Sequence, residues 1–141
     1  VTVKLIKMSA AAVFVVALVA GASPASATSV ETLRDTMTAI SDDMDEISVT
    51  AGAMDTASLA DACNALYLDA ARALRFKRPS VLPRSAWRHL RSGFRLLSYG
   101  GVTCQAGALE LDASTIRQAT RLMEQGTAKI VLATDEMEAA T

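Results

Sequence analysis

The sequence predicts an all-α protein, a four-helix up-down-up-down bundle that is disulfide-linked, and three observations carry that prediction. Apolar residues recur at alternating spacings of three and four along four segments, which gathers them on one stripe of an α-helix rather than on one face of a β-strand. The connections between these segments are short, which favours antiparallel neighbours in a bundle. The two cysteines, Cys63 and Cys104, each fall on the inward stripe of a different segment.

The bundle is expected to be preceded by a cleavable signal peptide over residues 1–27, leaving 28–141 as a single helical domain. Lys4 and Lys7 open the chain without an acid, and Ala10 to Ala22 then contains no charged or strongly polar side chain. That apolar run is shorter than the roughly 20 residues needed to cross a bilayer core, so no transmembrane anchor is expected after cleavage. Ser23-Pro24 breaks the run, and Ala25-Ser26-Ala27 supplies the small residues that precede a cleavage site. No cysteine directly follows that could take a lipid. The opening valine reads as a GTG start in a GC-rich bacterial gene. An even number of cysteines in an exported chain is ordinarily a disulfide, and with two only one pairing exists.

The first helix is predicted from Val30 onward. Its stripe is Val30, Leu33, Met37, Ile40, Met44, Ile47, Ala51 and Met54, with Asp42, Asp43, Asp45 and Glu46 between them on a solvated face. Gly52 and Asp55-Thr56 end it, and Ser58-Leu59-Ala60-Asp61 has the form of a capping box opening the second helix. The second helix turns Leu59, Cys63, Leu66, Ala70 and Ala73 or Leu74 inward. Lys77 to Pro83 contains two prolines, which remove donors and constrain the residues before them, so it is the expected connection to helix three.

Pro83 suits the first turn of helix three, whose inner stripe is Trp87, Leu90, Phe94, Leu97, Gly101 and Cys104. Trp87 is expected to be the largest core side chain. Gly100-Gly101 costs a helix about 1 kcal/mol per glycine relative to alanine, which predicts a kink or a local end there. Asp112 is placed to cap a fourth helix with the stripe Ile116, Ala119, Met123, Gly126, Ile130, Ala133, Met137 and Ala140. In an antiparallel hairpin the early part of helix two lies beside the late part of helix three. Cys63 and Cys104 are therefore expected to be bridged at its open end.

No residue set carries recognisable chemistry. His89 is the only histidine; it falls on the side of helix three away from Trp87 and has no companion ligand at a zinc spacing, so it is expected in solvent. There is no Gly-x-Ser-x-Gly, no histidine adjacent to an aspartate, and no cysteine left over once the disulfide forms. Asp42-Asp43 and Asp45-Glu46 lack the glycine and alternating oxygen ligands of a calcium loop. No enzymatic activity, metal or cofactor is expected.

Charge is distributed more tellingly. Residues 28–71 hold nine acids against Arg34 alone, a balance of −8, whereas Arg72, Arg75, Lys77, Arg78, Arg84, Arg88, Arg91 and Arg95 give residues 72–95 a balance of +8. Arg84, Arg88, Arg91 and Arg95 share one flank of helix three by their four-three-four spacing. Some of these cations complement the carboxyl end of helix two. One expectation is that the stripe pairs with acids on neighbouring helices; the other is that Arg75, Lys77, Arg78, Arg84, Arg88, Arg91 and Arg95 meet an anionic surface.

Cys63-Asn64-Ala65-Leu66, Pro79 and Pro83, Trp87, Cys104 and Asp112 follow one another as in a loose group of small secreted helical proteins of actinomycetes, which the last two thirds of the domain resembles. The resemblance implies a helical fold and an exported product, and it brings no assigned function. The chain is thus expected to be a non-enzymatic binding module acting at the cell envelope or outside the cell. An anionic envelope component or a protein partner is the expected target, and nucleic acid is not. The alternative is a carrier of a small apolar ligand between methionine-rich helices, and an acid with a shifted pKa in a cleft beside His89 would favour an enzyme.

Overall fold

A computed structural model describes the backbone of residues 24–141 and the side chains of residues 30–141; the expected leader, residues 1–27, lies outside the residues whose side chains are described. The fold is a helical bundle of four helices, α1 (Pro24–Gly52), α2 (Thr56–Ala73), α3 (Arg84–Glu110) and α4 (Ala113–Ala139), with no strand among the described residues. Helices adjacent in sequence are adjacent in space: only α1 with α2, α2 with α3 and α3 with α4 approach within 8 Å at Cα among the described residues.

The predicted stripes form one apolar cluster drawn from all four helices. Leu33, Met37, Ile40, Met44 and Ile47 of α1 are enclosed, as are Cys63 and Leu66 of α2, Leu90, Phe94 and Leu97 of α3, and Met123, Ile130 and Met137 of α4. Each such side chain contributes about 1.5–3 kcal/mol when removed from water. Four expected stripe positions behave otherwise. Met54 and Ala140 are exposed, because their helices end before them, and Ala51 and Ile116 are only partly covered.

The same turn is used twice. At the end of α1, Met54 N–H donates to Ala51 O and Asp55 N–H to Thr50 O; at the end of α3, Leu111 N–H donates to Ala108 O and Asp112 N–H to Gly107 O. Each pair of bonds closes a Schellman motif around one left-handed residue. That residue is ordinarily glycine, yet here it is Met54 (φ 58°) and Leu111 (φ 56°). The aspartate that completes each motif also caps the next helix: Asp55 accepts from Ser58 N–H, and Asp112 accepts from Ser114 N–H and Thr115 N–H. The cap of α2 is thus Asp55 rather than Ser58, three residues earlier than the capping-box pattern implies.

Glycine sets the helix spacing on both sides of α3. Gly93 lies against Gly126 and Ile130, Gly100 against Ala119 and Met123, and Gly107 against Thr115 and Ile116, a register that makes α3 and α4 antiparallel. Gly101 presses instead on the backbone of α2 at Cys63 and Tyr67. The expected end of α3 at Gly100-Gly101 does not occur. The helix continues to Glu110, and the adjacent glycines let α4 and α2 approach from two directions. Cys63 and Cys104 are bonded beside this contact, with Cα atoms 5.7 Å apart.

The acidic face of α1 is not wholly solvated. Asp42, Asp45 and Glu46 are exposed, but Asp43 is partly buried and its Oδ2 is covered where α1 meets Asp69 of α2. Burial, followed by the hydrogen bond to Asp69 and repulsion from Asp69 and Asp42, pushes the Asp43 pKa up to about 8. The folded state therefore keeps a proton that the unfolded chain releases near pH 3.9. The resulting stabilisation is complete below that value and is lost as pH rises toward 8. Asp43→Asn should raise stability at pH 8.5 by on the order of 1–2 kcal/mol, discounted for solvent screening, and much less at pH 4. Urea titrations at both pH values measure the difference; an equal effect at each would show that the proton is not shared across this interface.

Candidate basic site

The connection after α2 is held to the core by its apolar members. Phe76 packs partly buried against the cluster, while Pro79 and Leu82 are buried. Phe76 N–H donates to Ala73 O, and Leu82 N–H to Pro79 O. This anchoring leaves Lys77 and Arg78 exposed, and the Arg78 guanidinium folds back so that Nη1 donates to Leu82 O at 2.7 Å. Pro83 sits at the N-cap of α3, just ahead of its first turn, and offers no side-chain cap.

All eight cations between residues 72 and 95 are exposed. Arg72 lies 3.8 Å from Asp69, one helical turn earlier. Among the described residues, none of Arg75, Lys77, Arg78, Arg84, Arg88, Arg91 and Arg95 has a carboxylate within 4.0 Å. The site residues expected from sequence thus lie at the α2–α3 end of the bundle, with Arg78, Arg84 and Arg88 lining an open cleft of about 520 Å³ together with Trp87. Trp87 is 7% exposed and Phe94 is fully enclosed, so the indole is a core side chain that also forms a cleft wall. The periodicity placed Trp87 inward but gave no sign of this second role.

His89 is not a free surface group. Its Nδ1 lies 2.5 Å from Glu136 Oε1 on α4, with both side chains about one-third exposed. Ser85 also bonds the Glu136 carboxylate, and this bond, more than His89 or Arg88, holds the Glu136 pKa below the ordinary glutamate range. The Glu136 carboxylate, kept ionised in this way, joins α4 to α3 at His89.

No family model matches the chain, and no curated protein or solved structure matches it. Among the described residues, no three metal-ligating side chains converge, and no helix is long and apolar enough to cross a membrane.

At the opposite end, Ala51, Met54, Leu59, Leu111 and Ile116 line an apolar cleft of about 190 Å³ between the two Schellman turns. Met54 and Leu111 stand exposed at its rim. The other stripe methionines, Met37, Met44, Met123 and Met137, are enclosed in the core.

Proposed function

We propose that the protein is an exported, non-enzymatic binding module of the cell envelope or extracellular space whose α2–α3 end attaches to an anionic envelope component. The observation that carries this is the exposure of seven cations with no carboxylate within 4.0 Å among the described residues, on a chain whose formal net charge is −1. Cations spent on internal pairing would lie beside acids, whereas clustered unpaired ones act together on a polyanion. The disulfide fits an oxidising compartment, which supports export. Carriage of a small apolar ligand is the second reading; the cleft at Met54 and Leu111 favours it, while enclosure of Met37, Met44, Met123 and Met137 in the core counts against a site between the helices themselves.

Binding is tested by sedimentation with anionic and neutral vesicles. The protein should pellet with anionic vesicles at low salt and be released at high salt, since exposed charges are screened over roughly 8 Å at physiological ionic strength. Changing Arg84, Arg88, Arg91 and Arg95 together to glutamine should abolish the difference. Negligible binding by the unaltered protein to either vesicle would end this proposal. Export is tested by expressing the chain with its own leader in a bacterium. The supernatant product should begin at Thr28, and a cell-bound product retaining Phe14 would overturn it.

A further inference from the structure

We propose that the cleft formed by Arg78, Arg84, Trp87 and Arg88 is a binding site for a terminal phosphate, the dianionic end of a phosphomonoester or diphosphate; this rests on the anionic-target reading and narrows it to one place and one chemistry.

Three arginines line the cleft from separate backbone positions: Arg78 from the connection, Arg84 at the first residue of α3, and Arg88 one turn further on. Arg78 is fixed by its bond to Leu82 O, which engages one edge of the guanidinium and leaves its other N–H donors available. Arg84 and Arg88 have no carboxylate within 4.0 Å among the described residues. Glu136 lies against His89 and feels the charge of Arg88, so it offsets part of the positive charge on that side, while Arg78 and Arg84 keep theirs without a carboxylate within 4.0 Å among the described residues.

A planar guanidinium fork matches two oxygens of a phosphate, and each charge-assisted bond is stronger than a neutral one. Three forks around one space supply more donors and more charge than a carboxylate or a phosphodiester can use. A group bearing two negative charges and three terminal oxygens uses them. Trp87, 7% exposed, also lines the cleft and is the one apolar residue there to meet whatever carries the phosphate. Arg91 and Arg95 continue the basic flank outside the cleft and distinguish general attraction from this site.

Trp87 is the only tryptophan, so its emission reports directly on the cleft. Titrating the disulfide-bonded protein with pyrophosphate should give a saturable change in that emission, and dimethyl phosphate, a phosphodiester monoanion, at equal ionic strength should give a much weaker one. Arg84→Gln and Arg88→Gln should each weaken the response by about tenfold or more, the loss expected from one charge-assisted contact. A double change of Arg91 and Arg95 to glutamine should leave the pyrophosphate titration intact while reducing sedimentation with anionic vesicles.

Vesicles of phosphatidic acid, a phosphomonoester, compared with phosphatidylglycerol at matched charge identify the source. Preference for phosphatidic acid that pyrophosphate abolishes supports the site with a lipid headgroup as ligand. A pyrophosphate response without that preference supports it with a soluble phosphate. A flat titration alongside salt-sensitive vesicle binding overturns the cleft and leaves the broader anionic-surface reading standing. Absence of both overturns both.

Discussion

Reducing the Cys63–Cys104 bond, or replacing Cys104 with serine, should lower the stability of the folded domain by on the order of 2–5 kcal/mol. The bond spans a sequence separation of 41 and ties α2 to α3 at the end of their hairpin remote from the proline-containing connection. Without it, the unfolded chain regains the freedom of a long loop, which is the main source of the expected loss in the chain-entropy account. The native site adds to that loss, since Cys63 and Cys104 are 0% and 1% exposed and a serine hydroxyl would be enclosed without an assured partner. Urea unfolding followed by circular dichroism, with and without reductant, measures both effects. The oxidised protein should unfold at higher urea than the reduced one, and the Cys104→Ser variant should be insensitive to reductant. Identical midpoints for oxidised and reduced protein would show that the bond constrains nothing the packing does not already fix.

The elements written in local periodicity were legible in the sequence. A three-four stripe specifies both a helix and its inward face, which is why Leu33 to Ile47, Leu59 to Ala70, Trp87 to Cys104 and Ala119 to Met137 are buried as the pattern requires. The disulfide followed from the same phase argument. Features set by a second helix were not legible. The stripe of α1 says which side of Asp43 is buried but not which neighbour flanks it, and Asp69 supplies that answer from α2. His89 was read from α3 alone as solvated, whereas Glu136 of α4 meets it. The turns failed for another reason: left-handed backbone normally announces itself by glycine, and Met54 and Leu111 give no such signal. Their usable mark was the following aspartate, with a serine three residues after Asp55 and two after Asp112, where each backbone N–H meets its carboxylate. In the basic site the cations were evident from composition, but convergence of Arg78, Arg84 and Arg88 on the Trp87 face depends on the bend at Pro79 to Pro83.

Gly101→Ala should lower stability by on the order of 1–3 kcal/mol even though alanine is the better helix former. A Cβ at this position would stand 2.8 Å from Cys63 O and 2.8 Å from Tyr67 N, and both obstacles are backbone atoms of α2. A backbone cannot rotate aside as a side-chain end can, so α2 and α3 must separate and loosen the contacts on either side. Gly100→Ala meets chiefly Met123 Cγ at 2.7 Å, a flexible group that can move, and should cost less. Gly52 has nothing within 4 Å, so Gly52→Ala should be neutral or gain up to about 1 kcal/mol from helix propensity. Thermal or urea unfolding of the three variants therefore has an expected order, with Gly52→Ala most stable and Gly101→Ala least. This order separates steric spacing from propensity, because propensity alone would favour alanine at all three helical positions. If Gly101→Ala proved as stable as Gly52→Ala, the close approach of α2 and α3 would not depend on a missing side chain. If it falls as expected, the glycine that sequence analysis read as a weakness of helix three is what brings Cys104 within bonding reach of Cys63.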